Sequence, residues 1–237
     1  MSAYFEEIDY QITPLGPLSL RRRRQFKLDV DIMEVLLGDE HLMSDLFTIS
    51  EIELSRLALA ELNGVGHNIL VGGLGLGYTV SEALDNLAVN SVTVIEFLAP
   101  VIDWHERGIL PLGLKLVEDT RCKLVQADFF ARVALGEGLD PSLPNQLYDG
   151  ILLDIDHSPK LFLDPSHSGF YTKEGLTKLA ANMSPRGIFG LWSNDPSDPL
   201  FLDLLKNVFK SAWAVDVKFP NPILGNECLQ TVYLASR

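Results

Sequence analysis

From residue 50 onwards the sequence alternates between short apolar runs and segments whose apolar residues recur at helical spacing. Such near-continuous apolar runs are typical of strands buried on both faces, and helices between them are typical of a mostly parallel, twisted α/β sheet. The predicted strands are HNILVGG, SVTVIEF, CKLVQADFF, YDGILLDID and GIFGLWSND, followed by WAVDVKFPN and LQTVYLAS as a strand pair. The predicted helices are SEIELSRLALAEL, YTVSEALDNL, APVIDWHERG, TKEGLTKLAANM and PLFLDLLKNVFKSA.

The first 49 residues have a different pattern, in which short strands are separated by Pro/Gly and Gly-Asp turn signals. We predict a small N-terminal β-strand region, residues 1–49, and a catalytic α/β domain, residues 50–237. The N-terminal strands are too few to bury a core of their own, so we expect a β-hairpin or small sheet. It would pack on the main domain or on a second subunit, which makes a homodimer reasonable.

Composition and charge exclude several classes of protein. The net charge of −13 argues against nucleic-acid binding, because nucleic-acid binders usually carry a basic surface. The one basic run, Arg21 to Gln25, is interpreted as a solvated edge strand. No apolar run of membrane-spanning length occurs, and acids stand at the start where a signal peptide would carry Lys or Arg. We therefore expect a cytoplasmic protein that does not bind membranes. Cys122 and Cys228 lack disulfide or metal spacing, so no metal is predicted.

In parallel α/β sheets, ligands bind at the carboxyl ends of the strands. Gly73, Gly75 and Gly77 form G-x-G-x-G between a strand and a helix, where missing Cβ atoms let the backbone approach a flat ligand. The motif alone is equally typical of a tight turn. Glu96 ends the next strand about twenty residues later, where a carboxylate can accept both ribose hydroxyls. Together these residues predict a nucleoside site.

Two further strands end in chemically active residues. Asp128 could accept the amino group of adenine, with the backbone N–H of Phe129 near a ring nitrogen. The strand YDGILLDID delivers Asp154, Asp156 and His157 to the rim of the cleft, where such polar groups are costly to desolvate unless they are used or paired. Nicotinamide dinucleotides share the glycines and the ribose acid. However, the helix that follows is acidic and poorly suited to a pyrophosphate, so we favour a cofactor without phosphates.

In this order the motifs resemble those of the class I S-adenosylmethionine-dependent methyltransferase fold, and more narrowly those of the spermidine synthase (polyamine aminopropyltransferase) family. The resemblance implies a Rossmann-like sheet, ribose binding by Glu96, adenine contact by Asp128 and a catalytic acid between Asp154 and His157. It extends from about residue 30 to 235 and is carried by VLLGDEHLMSDLFTISEIELSRLAL, ILVGGLGLG, VIEFLAPVI, ADFF, YDGILLDIDHSP and GFYTKEGLTKLAANMSPRGIFGLW.

The chain departs from the family pattern at specific positions. Leu76 stands where the family carries an Asp that holds the amine of decarboxylated S-adenosylmethionine. The family's second signature Asp is replaced by His157, with Asp156 one position earlier, and the Tyr-His pair of the first helix is absent. These departures affect recognition of the aminopropyl group and the polyamine. We therefore favour methyl transfer from S-adenosylmethionine to a small, possibly amine-bearing acceptor. Two alternatives are aminopropyl transfer from decarboxylated S-adenosylmethionine and a non-catalytic nucleoside-binding or assembly module.

The expected chemistry is displacement at a sulfonium carbon, with Asp156 or His157 as the base that deprotonates an amine acceptor. Residues 157–169 form a Pro/Ser/Gly-rich loop long enough to be a lid, within which His167 is expected to be exposed. Trp104 is expected to pack in the core and His105 to lie on the surface. Residues expected to face the acceptor are Tyr171, Asn194 and Asp195, together with Trp192, which is equally typical of the core.

Overall fold

The computed structural model describes residues 4–237; residues 1–3, which the predicted N-terminal region includes, lie outside the described residues. The chain divides into two compact units. The first contains the described residues up to Ile49 together with Phe219–Cys228. The second contains Ser50–Lys218 and Leu229–Arg237.

The first unit is a four-stranded antiparallel sheet, which confirms the expectation of a small N-terminal sheet. Its two central strands carry buried apolar residues in register, with Leu18 opposite Leu37 and Leu20 opposite Val35. The strands, in sheet order, are β1 (Phe5–Thr13), β2 (Gly16–Gln25), β3 (Val30–Leu37) and β4 (Glu40–Ser44).

The basic run lies in β2, between β1 and β3, so the prediction of an edge strand was wrong. Its arginines form ion pairs with acids of the same unit. These acids lie on β1, on β3 and in the turn between β2 and β3. The run is therefore satisfied within the sheet. The pairs are Arg21–Glu7 (3.7 Å), Arg22–Glu6 (2.6 Å), Arg23–Glu34 (2.7 Å) and Arg24–Asp29 (2.5 Å).

The second unit is built on a seven-stranded sheet with the order β10-β11-β9-β8-β5-β6-β7. Strands β5 to β9 pair in parallel, and β11 pairs with β9 antiparallel, which confirms the predicted mostly parallel α/β sheet. The chain adds parallel strands on one side of β5 (β6, then β7) and afterwards on the other side (β8, then β9), so the direction of strand addition reverses at β5. The strands are β5 (His67–Gly72), β6 (Val89–Glu96), β7 (Cys122–Gln126), β8 (Tyr148–Leu153), β9 (Met183–Ser193), β10 (Ser211–Asn221) and β11 (Asn226–Ser236).

All five predicted helices are present, and two short helices were not predicted. Phe129 and Phe130 were assigned to a strand, but Asp128 accepts the backbone N–H of Ala131 at 2.9 Å and begins a helix there. No helix in the described range is long and apolar enough to cross a membrane. The helices are α1 (Ile49–Ala60), α2 (Tyr78–Asp85), α3 (Ala99–Glu106), α4 (Gly113–Glu118), α5 (Phe129–Leu135), α6 (Lys173–Ala180) and α7 (Pro199–Lys206).

The two faces of the sheet pack on different helices. Phe189 and Leu191 of β9 belong to the core that contains residues of α5, α6 and α7. Gly190 faces the other way, because a Cβ built there would lie 2.9 Å from Leu54 Cδ1 and 3.5 Å from Ala58 Cβ of α1. Since strand residues alternate between faces, each strand end presents one side chain toward α1 and the next toward α6.

Candidate functional site

The glycine loop joins β5 to α2 and adopts a backbone conformation that favours glycine. Gly73, Gly75 and Gly77 have φ angles of +92°, +49° and +91°. A Cβ on Gly73 would lie 2.2 Å from the carbonyl oxygen of Asp154, and one on Gly77 would lie 2.5 Å from Leu116 Cδ1. The φ angle favours glycine at both positions, and at Gly73 the approach of the Asp154 backbone requires it as well; at Gly77 the close atom is the tip of the Leu116 side chain.

Glu96 ends β6 with its carboxylate directed at this loop. The side chain is buried, and its oxygens accept the backbone N–H groups of Leu74 at 2.9 Å and Leu98 at 2.7 Å. Burial raises the pKa of Glu96, and the backbone hydrogen bonds oppose that rise. Each carboxylate oxygen can accept more than one hydrogen bond, so the geometry is compatible with additional hydroxyl donors.

His105 of α3 was expected on the surface but is fully buried, which corrects that prediction. Its Nε2 lies 2.9 Å from the carbonyl oxygen of Gly75, and burial lowers its pKa, so the neutral ring donates Nε2–H to the loop. The sequence contains a signal for this burial, because His105 lies four residues after buried Val101. Trp104 is also fully buried, as predicted.

Asp154 lies at the end of β8 on the side of α1, next to an acid that the sequence did not single out. Thr79 Oγ1 donates to Asp154 Oδ2 at 2.7 Å and lies 3.3 Å from the carbonyl oxygen of Glu51 in the first turn of α1. Burial raises the pKa of Asp154 to about 6; burial and the charge of Asp154 raise that of Glu51 to about 7. The pair can therefore hold a proton, or bind a cation, near neutral pH.

Asp156, only two residues later, is buried on the other side and is engaged with the loop that follows it. Its Oδ1 accepts the backbone N–H of Leu163 and contacts His167 Nδ1, each at 2.8 Å, and its Oδ2 accepts the Tyr171 hydroxyl at 2.9 Å. His167 is buried and stacks on Phe130, so the expectation of an exposed histidine was wrong. Asp156 thus ties the loop of residues 157–169 to the core.

His157 and Asn194 meet where β8 and β9 end. The backbone N–H of Asn194 donates to the His157 carbonyl at 2.8 Å, and Gln230 Nε2 donates to Asn194 Oδ1 at 2.8 Å. Asp195 is exposed, and its carbonyl accepts the Thr231 hydroxyl at 2.8 Å. Trp192 is half-buried. These predicted acceptor residues therefore share one corner of the sheet edge, whereas Tyr171 lies with Asp156.

Asp128 and Phe129 directly follow β7, the strand at the opposite edge of the sheet from β10. Asp128 is half-buried and caps α5, while the Phe129 ring is buried beneath Gly72, whose built Cβ would lie 3.0 Å from it. Since β8, β5, β6 and β7 are adjacent in the sheet, their carboxyl ends bring Asp154, the glycine loop, Glu96 and Asp128 into one row. The structure describes no group of three His, Cys, Asp or Glu residues arranged for a metal between residues 4 and 237.

The chain resembles known proteins in part of its sequence and in its fold. No protein-family profile matches the chain. It is 28% identical over 156 residues to a polyamine aminopropyltransferase of Sulfolobus acidocaldarius, a match that covers 62% of this chain and 47% of that protein. The chain therefore spans about half the length of the curated relative it matches.

Solved structures share the fold along most of the chain. A spermidine synthase in complex with the transition-state analogue AdoDATO superposes with a TM-score of 0.74 at 15% identity, covering 97% of this chain and 73% of that one. Spermidine synthase from Thermotoga maritima gives 0.74 at 16% identity, with coverages of 97% and 72%. Human methyltransferase-like protein 13 in complex with SAH gives 0.57 at 19% identity, with coverages of 78% and 81%. The chain therefore has a spermidine synthase-like form of the class I methyltransferase fold.

Proposed function

We propose that the chain is a transferase that binds an adenosyl sulfonium and moves its aminopropyl group from decarboxylated S-adenosylmethionine to a small amine. The observation that carries the proposal is the Glu51–Asp154 carboxylate pair beside the glycine loop, which suits a donor with a cationic tail. The curated relative is an aminopropyltransferase, which favours this reaction over the methyl transfer preferred from the sequence.

The nucleoside half of the donor would lie along the row of strand ends. Glu96 would share its carboxylate oxygens between the ribose hydroxyls and the backbone N–H groups of Leu74, Gly75, Phe97 and Leu98. Asp128 with the Phe129 N–H would contact adenine. The glycine loop, held by Glu96 and His105, would support the sulfonium end of the nucleoside. This arrangement needs no phosphate-binding group.

The proposed reaction is a displacement in which the neutral acceptor amine attacks the methylene carbon of the aminopropyl group, where that group is attached to sulfur. The N–C bond forms, the C–S bond breaks with its electron pair returning to sulfur, and methylthioadenosine leaves. The proton lost by the amine passes to Asp154, whose raised pKa suits a base near neutral pH, while Glu51 faces the cationic tail of the donor. His157 remains the alternative base at the rim, whereas Asp156 would position the loop through its three contacts.

Calorimetry with decarboxylated S-adenosylmethionine, S-adenosylmethionine and methylthioadenosine tests the donor. We expect the decarboxylated donor to bind at least tenfold more tightly than S-adenosylmethionine, because the acid pair repels the α-carboxylate. The Glu51→Gln variant should reduce this preference, with Glu53→Gln in the same helix as the matched control. Mass spectrometry of the products then distinguishes an added aminopropyl group from an added methyl group. Tighter binding of S-adenosylmethionine would refute the proposal.

Methyl transfer is kept as the second candidate because of Leu76. Its side chain is buried in the glycine loop, so this loop offers no acid to the donor's amine at the position where polyamine synthases carry one. Transfer of a methyl group to the acceptor would establish this candidate. Binding of none of the three nucleosides would instead support a non-catalytic module. We also propose that the protein is a cytoplasmic homodimer, and light scattering can measure the mass of the assembly.

A further inference from the structure

Two buried side-chain atoms, one of β9 and one of β11, have no hydrogen-bond partner among the described residues. They are the indole N–H of Trp192 and the side-chain carbonyl Oε1 of Gln230. The Gln230 amide is oriented by its other end, since Nε2 donates to Asn194 Oδ1 at 2.8 Å. An unpaired buried donor or acceptor costs about 1–3 kcal/mol, so each of these atoms requires a partner, which is either an ordered water or a bound group.

Both side chains lie on the same face of the sheet as the acid pair. In β9, Trp192 follows Gly190 by two residues, and Gly190 packs on Leu54 of α1. Glu51 precedes Leu54 by about one turn, toward the carboxyl edge of the sheet. In β11, Val232 lies opposite Trp192, and Gln230 is two residues away on the same face. The α1 face therefore carries the acids and the two unpaired atoms together.

The two atoms require different partners, and this limits the chemistry of the ligand. The Trp192 N–H needs an acceptor, and the Gln230 carbonyl needs a donor. A hydroxyl or a primary carboxamide supplies both. An ammonium satisfies Gln230 alone, and a carboxylate satisfies Trp192 alone, so either leaves a buried polar atom unpaired.

We propose that Trp192 and Gln230 bind the far end of the acceptor, and that this acceptor is a small primary amine carrying a hydroxyl or carboxamide group. The inference rests on the proposed function, which places the amine end of the acceptor at Asp154. It assigns Gln230, which the sequence did not single out, as a specificity-determining residue.

The strand spacing sets the length of the acceptor. Asp154 follows β8, Trp192 is on the adjacent β9, and Gln230 is on β11, the next strand along. Neighbouring strands are about 4.8 Å apart, and Gln230 lies two residues, about 7 Å, along β11 from the position level with Asp154, so the backbones of the acid and the amide lie about 12 Å apart. A chain of about four carbons, with a hydrogen bond of about 3 Å at each end, spans that distance.

Calorimetry with four amines of equal chain length tests the inference. The ligands are 4-amino-1-butanol, 4-aminobutanamide, 1,4-diaminobutane and 4-aminobutanoate, each titrated with and without saturating methylthioadenosine. We expect the alcohol and the amide to bind at least tenfold more tightly than the diamine and the acid, because only they satisfy both buried atoms. Equal or tighter binding of the diamine, or binding of none of the four, would overturn the inference.

Two variants assign the preference to these side chains. Trp192→Phe keeps an aromatic ring but removes the N–H, and Gln230→Leu keeps the volume but removes the carbonyl. Each should reduce the preference for the alcohol over the diamine at least tenfold. Trp213→Phe and Gln126→Leu, which change the same residue types elsewhere in the sheet, should leave it unchanged. A preference that survives both test variants comes from other groups, and it refutes the assignment.

The methylthioadenosine titration separates this inference from the proposed function. If the nucleoside binds but the alcohol is not preferred, the acceptor assignment fails and the transferase proposal stands. If the nucleoside does not bind, the transferase proposal fails. The titrations without nucleoside then still decide whether Trp192 and Gln230 recognise a hydroxyl or carboxamide.

Discussion

The Gly73→Ala substitution measures how closely the glycine loop approaches β8. An alanine at φ +92° costs about 1–2 kcal/mol from backbone conformation alone. The added Cβ would also lie 2.2 Å from the Asp154 carbonyl oxygen, so the loop or the end of β8 must move. Overpacking of this kind adds about 1–3 kcal/mol. The expected loss of unfolding free energy is therefore about 2–5 kcal/mol, the sum of these two contributions.

Gly136→Ala is the matched control, because Gly136 has φ +72° and no atom lies within 4 Å of its built Cβ. It should lose only the conformational part, about 1–2 kcal/mol. Urea unfolding followed by circular dichroism measures both variants, and methylthioadenosine affinity should fall only in Gly73→Ala, whose loop holds the proposed nucleoside site. Equal stability losses in the two variants, with unchanged affinity, would refute the close-approach argument.

Three further predictions follow from individual contacts. Asp156→Asn should lower the unfolding free energy by about 3 kcal/mol, since the buried side chain loses charge-assisted hydrogen bonds. It should also make the loop of residues 157–169 sensitive to limited proteolysis; an unaltered cleavage pattern would contradict the positioning role of Asp156. Folding raises the pKa values of Glu51 and Asp154, so the unfolding free energy should fall as pH rises from about 4.5 to about 7. In urea titrations at several pH values, the unfolding free energy of Glu51→Gln should fall less steeply with pH than that of the unmodified chain; equal slopes would contradict the coupling of the two acids. His105→Phe leaves the Gly75 carbonyl unpaired and should weaken methylthioadenosine binding about tenfold at constant stoichiometry; full affinity would show that the loop does not need this hydrogen bond.

The sheet could be predicted from the sequence because each of its strands is a local apolar run bounded by turn signals. The same local reasoning missed α5, where Phe129 and Phe130 continue the apolar run of β7. The backbone changes direction there because the Asp128 side chain accepts the Ala131 N–H, a competition between capping and strand extension that apolar content does not reveal.

The side-chain environments at the site were harder to predict because they depend on distant parts of the chain. His105 is buried by contacts with the glycine loop, whose Gly75 lies 30 residues earlier. Glu51 was not recognised because its neighbour Asp154 is on a strand more than a hundred residues later. The strand-end acids Glu96 and Asp128 were recognisable, since strand ends can be located from the local pattern alone.

The end of β8 at Leu153 explains how two nearby acids can have different roles. Strand alternation would place residues two apart on one face, but Asp154 and Asp156 lie beyond the last residue of the strand, where it no longer applies. Asp154 faces α1 and the Thr79 hydroxyl, and burial raises its pKa, so it favours a proton or a cation; its charge in turn raises the pKa of Glu51. Asp156 lies with His167 and Tyr171, where three hydrogen bonds already occupy its carboxylate. An acid whose oxygens are engaged by its own loop is a poor base, because accepting a proton would break one of those bonds. The acid that faces α1 is therefore the one suited to a substrate amine, and the acid two residues later keeps the adjoining loop in place.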